Sequence, residues 1–351
     1  MKDTASSPQI KLVALDSILS KEGRKDLQQF INNSIAYIEL AKELDSIKAA
    51  AKKMISLSYT LTSHANQPEK AVRMIDELLA RKYKIKDSFL VASLYLKRGG
   101  ANYRLNLEKA IEDYQEAIEN FPRRDSIHLA DAFLFSGQAY SNLGKFVPAG
   151  EYYQKAYNYF EALGDYEYMV FAQQGITTMY SMNGFYEKAK EEREKNIKKI
   201  QDLGLQQHLL VMYYNQALDY KKLGNNQLHL SYLKKAYDLL MDSSQKENII
   251  YDRLYVFSKL IDHYLSEGNI KEAEKYFQIV RQYHNPEIKD LIYVSHYSEI
   301  RSRMALFENK LDTALFYATK KQQAAQSMRY EEDIIASKEL LSEVFTKQGS
   351  F

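Results

Sequence analysis

The sequence contains no cysteine and no tryptophan, and only 5 prolines and 13 glycines are spread over its 351 residues. Without cysteine there is no disulfide, no thiol nucleophile and no thiolate metal site. So few prolines and glycines cannot supply a turn every ten residues or so (roughly), as an all-β fold requires. An excess of one charge is missing too. The 48 Lys+Arg face 46 Asp+Glu, a net charge of +2, which offers nothing to nucleic acid or an anionic membrane surface. No run approaches the roughly 18 apolar residues of a membrane span. The first residues, MKDTASSPQIKLVALDSILS, are interrupted by Lys11 and Asp16 and form no continuous apolar core of the secretory-signal type.

What is present is a chain of 45% hydrophobic and 27% charged residues, including 29 tyrosines and 15 phenylalanines, able to bury a core. It is also periodic. Small residues recur at Ala71, Ala110, Ala149, Ala189, Ala273 and Ala314, with His229 in the aligned place, at spacings of 39, 39, 40, 40, 44 and 41. Four of these, Ala149, Ala189, His229 and Ala273, follow a short turn whose glycine (Gly144, Gly184, Gly224 or Gly268) is suited to the positive φ that ends a helix. Asn309 stands in the same place, and the segment Met241–Asn248 accounts for the long spacing. A lone helix pair cannot cover its apolar face, so such pairs must stack.

The clearest unit is ADAFLFSGQAYSNLGKFVPAGEYYQKAYNYF, Ala130 to Phe160. Its order is bulky Phe133, small Gly137, aromatic Tyr140, turn Gly144, then Phe146, Ala149, Tyr153 and Ala156. This resembles a tetratricopeptide repeat, and LEKAIEDYQEAIENFP (Leu107–Pro122) matches the second half, with its closing proline. The period near 40 exceeds the usual ~34, which implies helices about a turn longer. Two departures stand out: Arg193 and Asn196 occupy places where an aromatic and a small residue are expected. The fold class expected is all-α, a right-handed superhelical α-solenoid of about eight helix pairs. Residues 1–45 are read as a degenerate N-terminal pair (a cap) and 46–351 as the solenoid, ending on an unpaired helix over 330–348.

Catalytic signatures are absent or poor. There is no GxGxxG, phosphate-binding loop, HExxH or calcium loop. Ser231 and Lys234 fit SxxK only formally, inside a predicted helix. The seven histidines show no i,i+3 or i,i+4 pair, which argues against a helical metal site. No enzyme activity, cofactor or metal is expected. The run EKAKEEREKNIKK (Glu187–Lys199) reads as a solvated face with internal ion pairs. Tyr140, Tyr180, Tyr220 and Tyr264 recur at one repeat position and read as inter-helix packing with the hydroxyl at a rim.

The resemblance implies that the first helix of each pair lines a concave surface where a peptide or protein binds. On the matching faces lie Tyr95, Asn102, Gln138, Asn142, Gln174, Thr178, Tyr214, Asn215, Lys221, Asp262, Glu299 and Arg303. Asn and Gln amides both donate and accept, so a row of them suits an extended peptide backbone. Gln174 and Thr178 replace the Lys and Asn of the family's dicarboxylate clamp, and only Asn215 falls in place, which disfavours an acidic C-terminal tail as ligand.

The Tyr-rich repeats are similar to sensor regions of Bacteroidetes-type signalling proteins, in which such repeats precede a histidine kinase or helix-turn-helix output. The implied role is a non-catalytic, peptide- or protein-binding sensory module of two-component type, periplasmic if it is an ectodomain and otherwise cytoplasmic. The alternatives are a cytoplasmic peptide-responsive regulator similar in repeat length to Rap-type phosphatases, and a constitutive scaffold or assembly adaptor. No nucleic-acid or membrane contact is expected. The final KQGSF repeats the glycine turn of Gly144 to Phe146 without a following helix, so the chain is expected to be an excised region, with the open C-terminal helix a candidate homodimer surface.

Overall fold

The computed structural model describes residues 7–22, 26–242, 250–328 and 331–349, and every regular element among them is helical. The first elements are α1 (Pro8–Glu22), α2 (Leu27–Glu43), α3 (Ile47–Tyr59), a π-turn over Thr60–His64, α4 (Pro68–Leu79) and the short α5 (Lys82–Ile85). Regular pairs follow: α6 (Ser88–Asn102) with α7 (Leu107–Asn120), and α8 (Ser126–Asn142) with α9 (Phe146–Leu163). Then come α10 (Tyr166–Met182) with α11 (Tyr186–Asp202), and α12 (Leu209–Lys222) with α13 (Asn226–Asp242). The last are α14 (Ile250–Ser266) with α15 (Ile270–Tyr283), α16 (Leu291–Phe307) with α17 (Leu311–Met328), and α18 (Glu331–Gln348). Most of the connection predicted to be long, residues 243–249, lies outside the described residues.

Local chemistry sets the boundaries. Asp26, Asp87, Asn106 and Asn269 accept backbone N–H bonds three residues on at 2.9, 3.3, 2.9 and 3.3 Å, satisfying donors that a helix start leaves unpaired. At the far ends, Gly184 and Gly224 take φ of 81° and 75°, which lets the next residue's N–H reach back to Tyr180 O and Tyr220 O at 2.9 Å. Asn309 does the same work with φ 59°, as its place in the repeat predicts. Gly164 and Gly204, not singled out by the repeat, end the second helices α9 and α11.

The contacts divide the chain into two compact units: Met1–Tyr140 with Pro148–Ala172, and Ser141–Val147 with Gln173–Phe351. In the first unit α2 packs between α1 and α3, and α6 packs on α3, α4 and α7. In the second, each helix from α11 to α14 packs on the next, α14 meets α15 and α16, and α17 packs between α16 and α18. All six repeat-position alanines are fully buried.

Close helix crossing explains the pattern of small and large residues. A Cβ added at Gly99 would lie 2.5 Å from the Tyr114 ring, and one at Gly137 would lie 2.9 Å from the Tyr153 ring. Each glycine therefore makes room for an aromatic on the second helix. Three of the four tyrosine positions stack on a ring of the second helix, while Tyr180 lies under Lys188 at 4.3 Å. Tyr140 stacks on Tyr152 at 5.2 Å, Tyr220 on Tyr232 at 5.5 Å and Tyr264 on Tyr276 at 5.8 Å.

Arg193 corrects the reading of Glu187–Lys199 as a wholly solvated face. Glu187, Glu191, Glu194, Lys195 and Lys198 are exposed, but Arg193 is 1% exposed and pairs with Asp219 at 3.0 Å. Its Nη1 donates to Thr177 Oγ1 at 3.1 Å, and Thr177 lies one repeat, 40 residues, after Gly137. The glycine–tyrosine contact of one repeat thus becomes a threonine–arginine contact in the next. Burial lowers the Arg193 pKa against the pull of Asp219, while Ser181 Oγ, 3.2 Å from Nη2, completes the network.

Candidate binding surface on the first helices

The first helices α12, α14, α16 and α18 carry Lys221, Asp262, Arg303 and Glu343 at one repeat position, with spacings of 41, 41 and 40. The repeat brings them side by side in alternating sign. Lys221 Nζ lies 2.5 Å from Asp262, whose other oxygen is 2.9 Å from Arg303 Nη1; that nitrogen is also 3.2 Å from Glu343. One helical turn earlier, Glu299 is buried and meets Lys259 at 2.9 Å and Lys321 at 2.8 Å. Burial alone would raise the Glu299 carboxyl, but Lys259, Lys321 and Arg303 outweigh it and hold it well below the usual carboxylate range. Burial is likewise overcome at Asp262 by Arg303 and Lys221.

Four of the sequence-predicted residues, Lys221, Asp262, Glu299 and Arg303, are therefore brought together as partners of one another. Asp262, Arg303, Glu343 and Lys347 also edge a hollow of about 170 Å³. In the first unit Asn102 is buried and donates to Asp113 at 2.7 Å, and Asp113 also accepts from Arg98 Nε at 2.8 Å. Tyr95 is buried too, its hydroxyl 3.1 Å from Lys82 Nζ and its ring under Arg98 at 5.2 Å. Tyr214 meets the Tyr255 ring at 4.8 Å. Asn142 and Thr178 edge a hollow of about 130 Å³ that Asp333 also lines.

Gln138, Gln174, Thr178 and Asn215 are different. All four are half-buried, and their side chains make no hydrogen bond among the described residues. Gln138 belongs to a groove of about 250 Å³ in the first unit, walled by α3 with its π-turn, α6, α7 and α8. Sequence reading missed the rest of that groove. The π-turn has no simple sequence signature, and the pair Gly99-Gly100 is the one signal that points there.

No group of three or more His, Asp or Glu is placed to hold a metal ion among the described residues. His229 and His263, 34 apart in sequence, do come together, with ring centroids 5.3 Å apart. His229 Nδ1 is satisfied by Ala217 O at 2.8 Å, which makes the pair part of the packing between α12, α13 and α14. No helix of the described residues is long and apolar enough to cross a membrane.

Neither a family model nor a curated protein matches the chain. Solved structures do. The chain is similar to the apo form of RapI, with 16% identity, a TM-score of 0.65 and 98% of each chain covered. It is also similar to aspartyl phosphate phosphatase F from Bacillus subtilis, at 15% identity and TM-score 0.59, covering 95% of this chain and 86% of that one. A tetratricopeptide repeat protein from Parabacteroides merdae aligns at 15% identity and TM-score 0.52, covering 96% of this chain and 98% of that one. The fold is that of the tetratricopeptide-like repeat proteins.

Proposed function

We propose that this chain is a non-catalytic repeat module that binds a peptide or protein on its first-helix faces and acts as the sensory part of a signalling protein. The observation that carries this reading is the set Gln138, Gln174, Thr178 and Asn215. These side chains hold unsatisfied donors and acceptors at half-buried positions, whereas Lys221, Asp262, Glu299 and Arg303 of the predicted set are matched in ion pairs. An extended peptide presents N–H and C=O groups that such amides complement. Peptides selected from a random displayed library, then synthesised and titrated by fluorescence anisotropy, test it. Saturable binding that weakens by about tenfold or more in Gln174→Ala/Asn215→Ala, with thermal stability retained, is the expected result. No selectable peptide, or binding indifferent to these residues, overturns it.

A second reading, a cytoplasmic peptide-responsive regulator of the Rap type, is favoured by one observation. The similarity to RapI and to phosphatase F runs over 98% and 95% of this chain. Release of phosphate from a phosphoaspartyl response regulator, faster with the protein than without it, would favour this reading over the first.

A further inference from the structure

Gly100 is a glycine in a helix without a packing reason. Glycine is the least favourable helix-interior residue after proline, because it has the most backbone freedom to lose. Its neighbour Gly99 is explained by the Tyr114 ring, which leaves no space for a Cβ. At Gly100 an added Cβ would meet nothing within 4 Å, and the residue is exposed on α6. The absence of a side chain there keeps a surface bare.

That surface is the floor of the groove of about 250 Å³ that also holds Gln138. One wall is the π-turn over Thr60–His64, a second local departure from regular helix; such turns recur at functional sites. It is preceded by Tyr59, 58% exposed and held edge-on to His64 at 5.1 Å. Leu96, Tyr114 and Phe135 supply the apolar lining. The single charged lining residue is Lys97, which makes no hydrogen bond or ion pair among the described residues and acts on Asp131 only through space. The volume lies below the roughly 300–1,000 Å³ of small-molecule sites and suits one side chain with its flanking backbone.

We infer that this groove is the anchor subsite for an extended peptide. A bulky apolar side chain seats against Tyr59, Tyr114 and Phe135, the backbone crosses Gly100 toward the Gln138 amide, and the side-chain carboxylate of an adjacent Asp or Glu pairs with Lys97. The inference rests on the peptide-binding reading above and names where and by what chemistry that binding begins. The bare glycine lets the backbone approach the helix closely. Charge complementarity selects the acidic neighbour, since the lining offers one cation and no anion.

The test uses the full chain and acetylated, amidated heptapeptides with central Phe-Glu, Phe-Lys or Ser-Glu and the other positions randomised, read by fluorescence anisotropy. The Phe-Glu pool is expected to bind at least about tenfold more tightly than the other two. Gly100→Leu fills the floor and should abolish that preference. Lys97→Gln should erase the distinction between Glu and Lys while keeping that between Phe and Ser. Gly100→Ala separates this from misfolding: it should raise the melting temperature, because nothing obstructs its Cβ, while weakening binding. Retained binding of a library-selected peptide by Gly100→Leu overturns the subsite and leaves the peptide-binding reading standing. If the wild type binds no peptide at all, both fall. Self-association of the wild type that Gly100→Leu abolishes would assign the groove to a second copy instead, which also overturns the proposal.

Discussion

His229 occupies the place where the other second helices carry alanine, and its ring is enclosed between Ala217 and His263. Its Nδ1–H donates to a carbonyl and its Nε2 has no partner, so a second proton would enter an unsolvated site. Burial pushes its pKa down to about 4, with Lys221 adding to the effect, and His263 shifts the same way. The sign follows from linkage. The unfolded imidazole takes up its proton as pH falls below about 6.5 and the folded one does not until about 4, so stability falls across that window. Urea midpoints measured between pH 7 and pH 4 should therefore decline, and His229→Ala should make the decline shallower by up to about 1.4 kcal/mol per pH unit. An unchanged slope would place the proton uptake elsewhere.

Within one helix pair, the α10–α11 contact shows what a polar substitution in a repeat requires. Arg193 is held by Asp219, Thr177 and Ser181, and both Thr177 and Asp219 are buried. Arg193→Ala leaves the Asp219 carboxylate, 2% exposed, without its cation, so a loss of about 3–5 kcal/mol in denaturant unfolding is expected. A loss below about 1 kcal/mol would mean that Asp219 finds another partner or water. The helices, turns and small-residue positions were legible in the sequence because local sterics set them. Gly184, Gly224 and Asn309 must end helices wherever they occur in this pattern. The partners of Arg193 were not legible, since Thr177 and Asp219 lie 16 and 26 residues away and only the folded pair unites them. Asn102 was placed on the binding face for the same reason. Its amide is turned instead toward Asp113 on the neighbouring helix.

Over the whole molecule the alternating signs of Lys221, Asp262, Arg303 and Glu343 were present in the sequence at repeat spacing, and reading charge by repeat position would have found them. They tie neighbouring first helices to one another through their charges, each spoken for by another. The central claim is that a ligand meets this protein on its first helices. Hydrogen–deuterium exchange of the full chain, with and without a saturating library-selected peptide, tests that most directly. The account predicts added protection on first helices and on the π-turn of the groove, with the second helices α9, α11 and α13 little changed. Protection confined to the second helices, or no protection at saturation, would contradict it.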